Sequence, residues 1–69
     1  MRSNINKRVG ENIRKYRLKR GLSQQALGFE ANLHRAYIGH VERGERSLNM
    51  NKLEKIAKAL KISPSKLLN

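Results

Sequence analysis

The sequence predicts an all-α fold, a locally connected bundle of five helices, and three observations carry that expectation. Apolar residues recur at three- and four-residue intervals along most of the chain, as helices burying one face require. Cap and stop residues punctuate those runs at lengths suited to short helices. No segment alternates apolar and polar residues in the manner of a half-buried strand.

The first helix is expected over about residues 5 to 20, where Ile5, Val9, Ile13 and Tyr16 share one face and Gly21 supplies a stop. Residues 23 to 44, SQQALGFEANLHRAYIGHVERG, hold two shorter helical patterns joined at Asn32. Leu27 and Ala31 share a face of the first, and Ile38 and Val41 share a face of the second. Ser23 caps the first pattern, with Leu22 and Leu27 placed as a hydrophobic staple, and Leu33 and Ile38 repeat that staple around His34. Asn32 stands where the chain must reverse, and Asn tolerates the left-handed conformation better than any residue but Gly. Gly28 and Gly39 sit inside these helices, each at a cost of about 1 kcal/mol relative to Ala. Gly39 is open to a second reading, close approach of a phosphate or base. Phe29 lies off the Leu27 and Ala31 stripe and is expected to pack as a satellite of the core. After a loop from Glu45 to Leu48, Asn49 caps a fourth helix whose stripe is Met50, Leu53, Ile56, Ala57 and Leu60. Ser63 and Pro64 then open a short fifth helix carrying Leu67 and Leu68.

Sixty-nine residues allow one small domain, residues 1 to 69, whose core needs good helix packing or association to be stable. With no Cys, neither disulfides nor thiolate zinc sites can supplement that core. The 16 Lys and Arg against 5 Asp and Glu give a formal charge of +11, which suits a polyanionic partner. The charge is also segregated. Arg2, Lys7, Arg8, Arg14, Lys15, Arg17, Lys19 and Arg20 crowd the first twenty residues beside one acid, Glu11. Five lysines accompany Glu54 in the last nineteen, while Glu30, Glu42 and Glu45 fall in the middle. An ordinary solvated surface mixes both signs more evenly. No apolar run approaches the ~20 residues of a membrane span, and the N-terminal MRSNINKRVG lacks a signal-peptide core, so a soluble, cytoplasmic protein is expected. No nucleophile, base and orienter constellation or glycine-rich phosphate loop points to an enzyme. His34 and His40 have no Cys or carboxylate completing a metal site, so neither a metal nor a cofactor is expected.

Two capped helices joined by a tight turn form the arrangement a helix-turn-helix uses to lay a helix in the DNA major groove. From Ile13 to Leu68 the chain resembles the phage repressor and Cro type of domain, the lambda-repressor-like XRE family. The likeness rests on Ile13, Arg14 and Arg17, then Gly21, Leu22, Ser23, Gln24 and Leu27, then Ile38, Glu42, Arg43 and Gly44. It continues through Leu53, Ile56, Ala57, Leu60 and the Ser63, Pro64 cap. Within that family the run LHRAYIGHVERGER is similar to restriction-modification controller proteins, which are small homodimeric regulators. Ala26, Asn32 and Leu48 depart from residues common in the family, Glu, Gly and Pro respectively.

The resemblance implies a sequence-specific DNA-binding transcriptional regulator whose third helix enters the major groove. It places His34, Arg35, Ala36 and His40 at base-facing positions and Tyr37 near the groove edge. The planar fork of Arg35 can donate two hydrogen bonds to guanine, and Ala36, with no polar atom, can read sequence only by contact with a thymine methyl or by allowing close approach. Gln24 is expected on a phosphate at the start of helix two, and Arg43, Arg46, Ser47 and Asn49 on the phosphates across the groove. The resemblance also implies a pair between Arg17 and Glu42. One short recognition helix reads few bases, so a homodimer on a two-fold operator is expected, with Leu67 or Leu68 meeting the partner subunit. The expected partners are thus double-stranded DNA and a second copy, with no membrane and no small-molecule effector. The alternatives are an antitoxin or protein-docking module on the same fold, or a basic module for RNA or an acidic membrane surface. The last would not need the capped, turned segment from Ser23 to Gly44.

Overall fold

A computed structural model describes residues 5 to 69, so Arg2 of the basic N-terminal run lies outside the described residues. Four α-helices follow in order: α1 Ile5–Lys19, α2 Gln24–Ala31, α3 Arg35–Glu42 and α4 Met50–Leu60. The fifth expected helix is a single 3-10 turn, Pro64–Leu67, because four residues cannot propagate an α-helical ladder. No strand occurs among the described residues.

Local chemistry sets the boundaries. The Ser23 hydroxyl accepts the Ala26 N–H at 3.0 Å, and the Asn49 side chain accepts the Lys52 N–H at 2.8 Å. Ser63, expected to cap in the same way, makes no such bond and instead meets the Ser65 hydroxyl at 3.0 Å. All four helices leave through one reversal, a residue with positive φ at Gly21, Asn32, Gly44 and Lys61. In each, the next residue donates its N–H back into the last turn: Leu22 to Arg17, Leu33 to Gly28, Glu45 to His40 and Ile62 to Ala57, at 2.8 to 3.0 Å. Asn32, at φ 58° and ψ 45°, is the reversal that sets α3 against α2.

The core comprises Val9, Ile13, Leu27, Ala31, Ile38, Val41, Leu53, Ile56, Ala57, Ala59, Leu60 and Leu67. Helix α3 packs on both α2 and α1, α4 closes the other side of α2, and the 3-10 turn bridges α4 and α1. Asn12 fastens that bridge, donating to the carbonyls of Leu67 at 3.0 Å and Asn69 at 2.7 Å. Two glycines permit the close approaches. A Cβ on Gly10 would lie 2.3 Å from the Val41 carbonyl oxygen, and one on Gly28 would lie 2.5 Å from that of Leu33. Their helical cost is the condition for α1 and the turn to approach the neighbouring backbone.

Three expectations about packing are corrected. Phe29 is 87% exposed rather than a satellite of the core, since two residues from Leu27 is about 200° around a helix. Met50 is 65% exposed because it is the first residue of α4, where side chains lean past the end of the helix. Leu67 is fully buried within the fold, so it is not available to a partner subunit, and Leu68 is the exposed member of the pair.

Candidate nucleic-acid interface

A buried ion pair anchors the two helices of the motif to α1. Arg17 Nε donates to Glu42 Oε2 at 2.6 Å and Arg17 Nη2 to Glu42 Oε1 at 3.0 Å, with the side chains 9% and 4% exposed. The remaining guanidinium nitrogen, Nη1, donates to the Leu22 carbonyl at 2.8 Å, and Gln24 Nε2 donates to Glu42 Oε1 at 3.1 Å. No buried side-chain polar atom among the described residues lacks a hydrogen-bond partner. The pair therefore joins α1, the start of α2 and the end of α3 in one network, which fixes the angle at which α3 is presented.

On that support His34, Arg35, Ala36 and His40 are all exposed on α3 and its cap. His34 is the cap itself, its Nδ1 accepting the Ala36 N–H at 3.0 Å. Arg35 reaches back across the turn to Gln25 Oε1 at 3.4 Å. Tyr37 is half-buried and turned toward the loop, donating to the Ser47 carbonyl at 3.2 Å. Lys52 Nζ and the Arg46 guanidinium stand 4.7 Å and 5.6 Å from its ring centroid, so the ring gathers these two cations at the start of α4. Ser47, Arg46 and Asn49 are exposed on the same loop, and the Asn49 side-chain oxygen Oδ1 is engaged as the α4 cap.

Gln24 and Arg43 converge above Gly39. A Cβ there would sit 3.4 Å from Arg43 Nη1 and 3.5 Å from Gln24 Oε1, so protein side chains occupy the close approach. Arg14 joins Arg17, Gln24, Glu42 and Arg43 in lining a cleft at this corner. Arg43 is held by Glu45, with Nε on Oε2 at 3.0 Å and Nη2 on Oε1 at 3.3 Å, while His40 Nδ1 lies 2.7 Å from Oε1. The Arg43 hydrogen bond first, and the His40 one second, hold the Glu45 carboxyl below the ordinary carboxylate range.

Sequence reasoning gave Gln25 and Lys52 no place on this surface and saw Glu45 only as one of three acids flanking the segment that would face the bases. Glu45 was legible as the residue following the Gly44 reversal. Gln25 and Lys52 become neighbours of Arg35 and Tyr37 only through the fold. Two of the basic N-terminal residues are structural rather than available to a polyanion. Arg17 is buried, and Arg20 donates to both Glu30 and the Ala59 carbonyl, clasping α1 to α2 and α4. Among the described residues no group of three or more His, Cys, Asp or Glu is placed to hold a metal ion, and no helix is long and apolar enough to cross a membrane.

A helix-turn-helix family model matches residues 13 to 67. The control protein C.BamHI of Bacillus amyloliquefaciens is 44% identical over 70 aligned positions, covering 100% of this chain and 86% of that protein. The control protein C.SmaI of Serratia marcescens is 48% identical over 60 positions, covering 87% of this chain and 71% of its own length. The crystal structure of the restriction-modification controller protein C.AhdI from Aeromonas hydrophila superposes with a TM-score of 0.88 at 40% identity. It covers 90% of this chain and 94% of that one.

Proposed function

The chain belongs to the helix-turn-helix family and is a DNA-binding transcriptional regulator, and on that premise we propose that it is the controller of a restriction-modification system. In this reading a homodimer binds a two-fold operator, each subunit laying α3 in the major groove. The observation that carries it is the α2, turn and α3 unit, capped at both N-termini and braced on α1 through Arg17 and Glu42. It leaves His34, Arg35, Ala36 and His40 exposed together. Arg35 supplies bidentate donation to guanine, while Gln24, Arg43, Arg46, Ser47 and Asn49 grip phosphate on either side. Tyr37 is assigned to holding the loop that carries Arg46 and Ser47. In this reading the partner subunit covers a mostly apolar groove whose lining includes Val9, Val41, Leu48, Met50, Leu53 and Leu68.

Binding-site selection from random duplexes tests this reading, using the native chain and Arg35→Ala, Arg43→Ala and Arg46→Ala. Arg35→Ala is expected to relax preference at one base pair per half-site, a loss of about 1 to 3 kcal/mol of discrimination, whereas the other two weaken all sequences alike. Uniform weakening by Arg35→Ala with an unchanged preferred site would reassign Arg35 to phosphate. Enrichment of no sequence by the native chain would remove the operator reading altogether.

A further inference from the structure

Of the four residues that follow the helix reversals, three are apolar: Leu22, Leu33 and Ile62 fold back against the core. The fourth, at the end of α3, is Glu45. A carboxylate there is disfavoured by the negative end of the helix dipole and by the phosphate backbone this face is proposed to approach. Its position is nevertheless fixed, since its N–H donates to the His40 carbonyl at 2.9 Å and so returns the side chain over the last turn.

The hydrogen-bond chemistry of the two histidines then follows. An ionised carboxylate only accepts, so the 2.7 Å approach of Glu45 Oε1 to His40 Nδ1 requires the hydrogen to be on Nδ1. Arg43 Nη2 lies 3.2 Å from the same nitrogen and would need it as an acceptor, but the approach to the carboxylate, at 2.7 Å, is the shorter, and Arg43 Nη2 has Glu45 Oε1 as its own acceptor at 3.3 Å. His34 is the reverse case. Its Nδ1 accepts the Ala36 N–H, so that nitrogen carries no hydrogen and Nε2 does.

We infer that the two histidines of the recognition segment are held in opposite tautomers, and that Glu45 is the positioning residue that sets the one at His40. Resting on the proposal that both rings face bases, this makes them read different edges. The uncharged His34 ring presents an Nε2–H donor, suited to guanine O6 or N7, adenine N7 or thymine O4. The uncharged His40 ring presents a bare Nε2 acceptor, suited to the amino groups of adenine or cytosine. Glu45 acts through His40 rather than on a base.

Long-range proton–nitrogen NMR on the 15N-labelled chain without DNA reads the tautomers directly, with the two rings assigned through His34→Gln and His40→Gln. Opposite patterns are expected. Glu45→Ala should move His40 alone toward the Nε2–H form, and Glu45→Asp should restore it. A common tautomer at both rings, or a His40 pattern indifferent to Glu45→Ala, would overturn the assignment whatever the DNA results. In binding-site selection, Glu45→Ala should lower the preference at the base pair that His40→Gln alters by about tenfold and spare the one His34→Gln alters. Uniform weakening with an unchanged preferred base overturns the specificity role. A native chain that selects no sequence, with the NMR pattern intact, overturns the DNA reading instead.

Discussion

Glu42 is 4% exposed in its side chain and takes hydrogen bonds from Arg17 and Gln24, so the two members of the ion pair are unequal hostages to one another. Arg17→Ala strands a buried carboxylate and is expected to cost about 3 to 5 kcal/mol, well above the ~0 to 1 kcal/mol of a surface pair. A double-mutant cycle with Glu42→Gln, followed by chemical denaturation, should return a coupling energy clearly different from zero. Leu67 and Phe29 give the complementary contrast. Leu67→Ala opens a cavity in the core and should cost about 2 to 5 kcal/mol. Phe29→Ser should shift stability by no more than about 0.5 kcal/mol in the same denaturation series, because the ring is 87% exposed. The Arg17 and Glu42 pair was legible in the sequence only through the family resemblance, and the same resemblance singled out His34, Arg35, Ala36 and His40, which the fold leaves exposed. The Tyr37 and Ser47 bond was not, since it depends on how the loop after α3 returns to α4.

At the level of elements, caps and reversals were the most legible features because they are local: Ser23, Asn32 and Asn49 act within three residues of themselves. The closing segment was not, because the difference between an α-helix and a 3-10 turn over Pro64–Leu67 is decided by length and by packing on α1 and α4. Lys61 was also missed as a reversal, since nothing about a lysine announces φ 60°. It occupies a conformation that costs a side-chain-bearing residue about 1 to 2 kcal/mol. Lys61→Gly should therefore raise the denaturation midpoint. Gly10→Ala should lower it, at a stability cost of ~1 to 3 kcal/mol for an overpacked contact, because the added Cβ meets backbone rather than a movable side chain.

For the molecule as a whole, the +11 charge makes salt the sharpest probe of the proposed interface. Several phosphate contacts per subunit predict an affinity loss of about a thousandfold or more between 50 and 200 mM salt. A titration with little salt response would contradict a phosphate-gripping surface. Sedimentation equilibrium should show a dimer at micromolar concentration that Leu68→Lys and Met50→Lys disrupt. A dimer indifferent to both would place the partner elsewhere. The sequence directed attention to Leu67 and Leu68 because adjacent residues on a helix cannot share one core. Which of them faces inward was a question only the packing of the final turn could answer.

The clasp that Asn12 makes with the carbonyl of Leu67 spans 55 positions, whereas α2, its reversal and α3 are contiguous in sequence. The two regions therefore sit at opposite ends of the entropic cost of closing a loop, and the order of folding should follow. The α2 and α3 unit is expected in the transition state, with α1 and the final turn docking afterwards. In a chevron experiment, Ile38→Val should mainly slow refolding, and Leu67→Ala or Asn12→Ala should mainly accelerate unfolding. The segment proposed to touch DNA would then be the first to form, and how long the native state persists would be governed by the final turn, docked on α1 and α4.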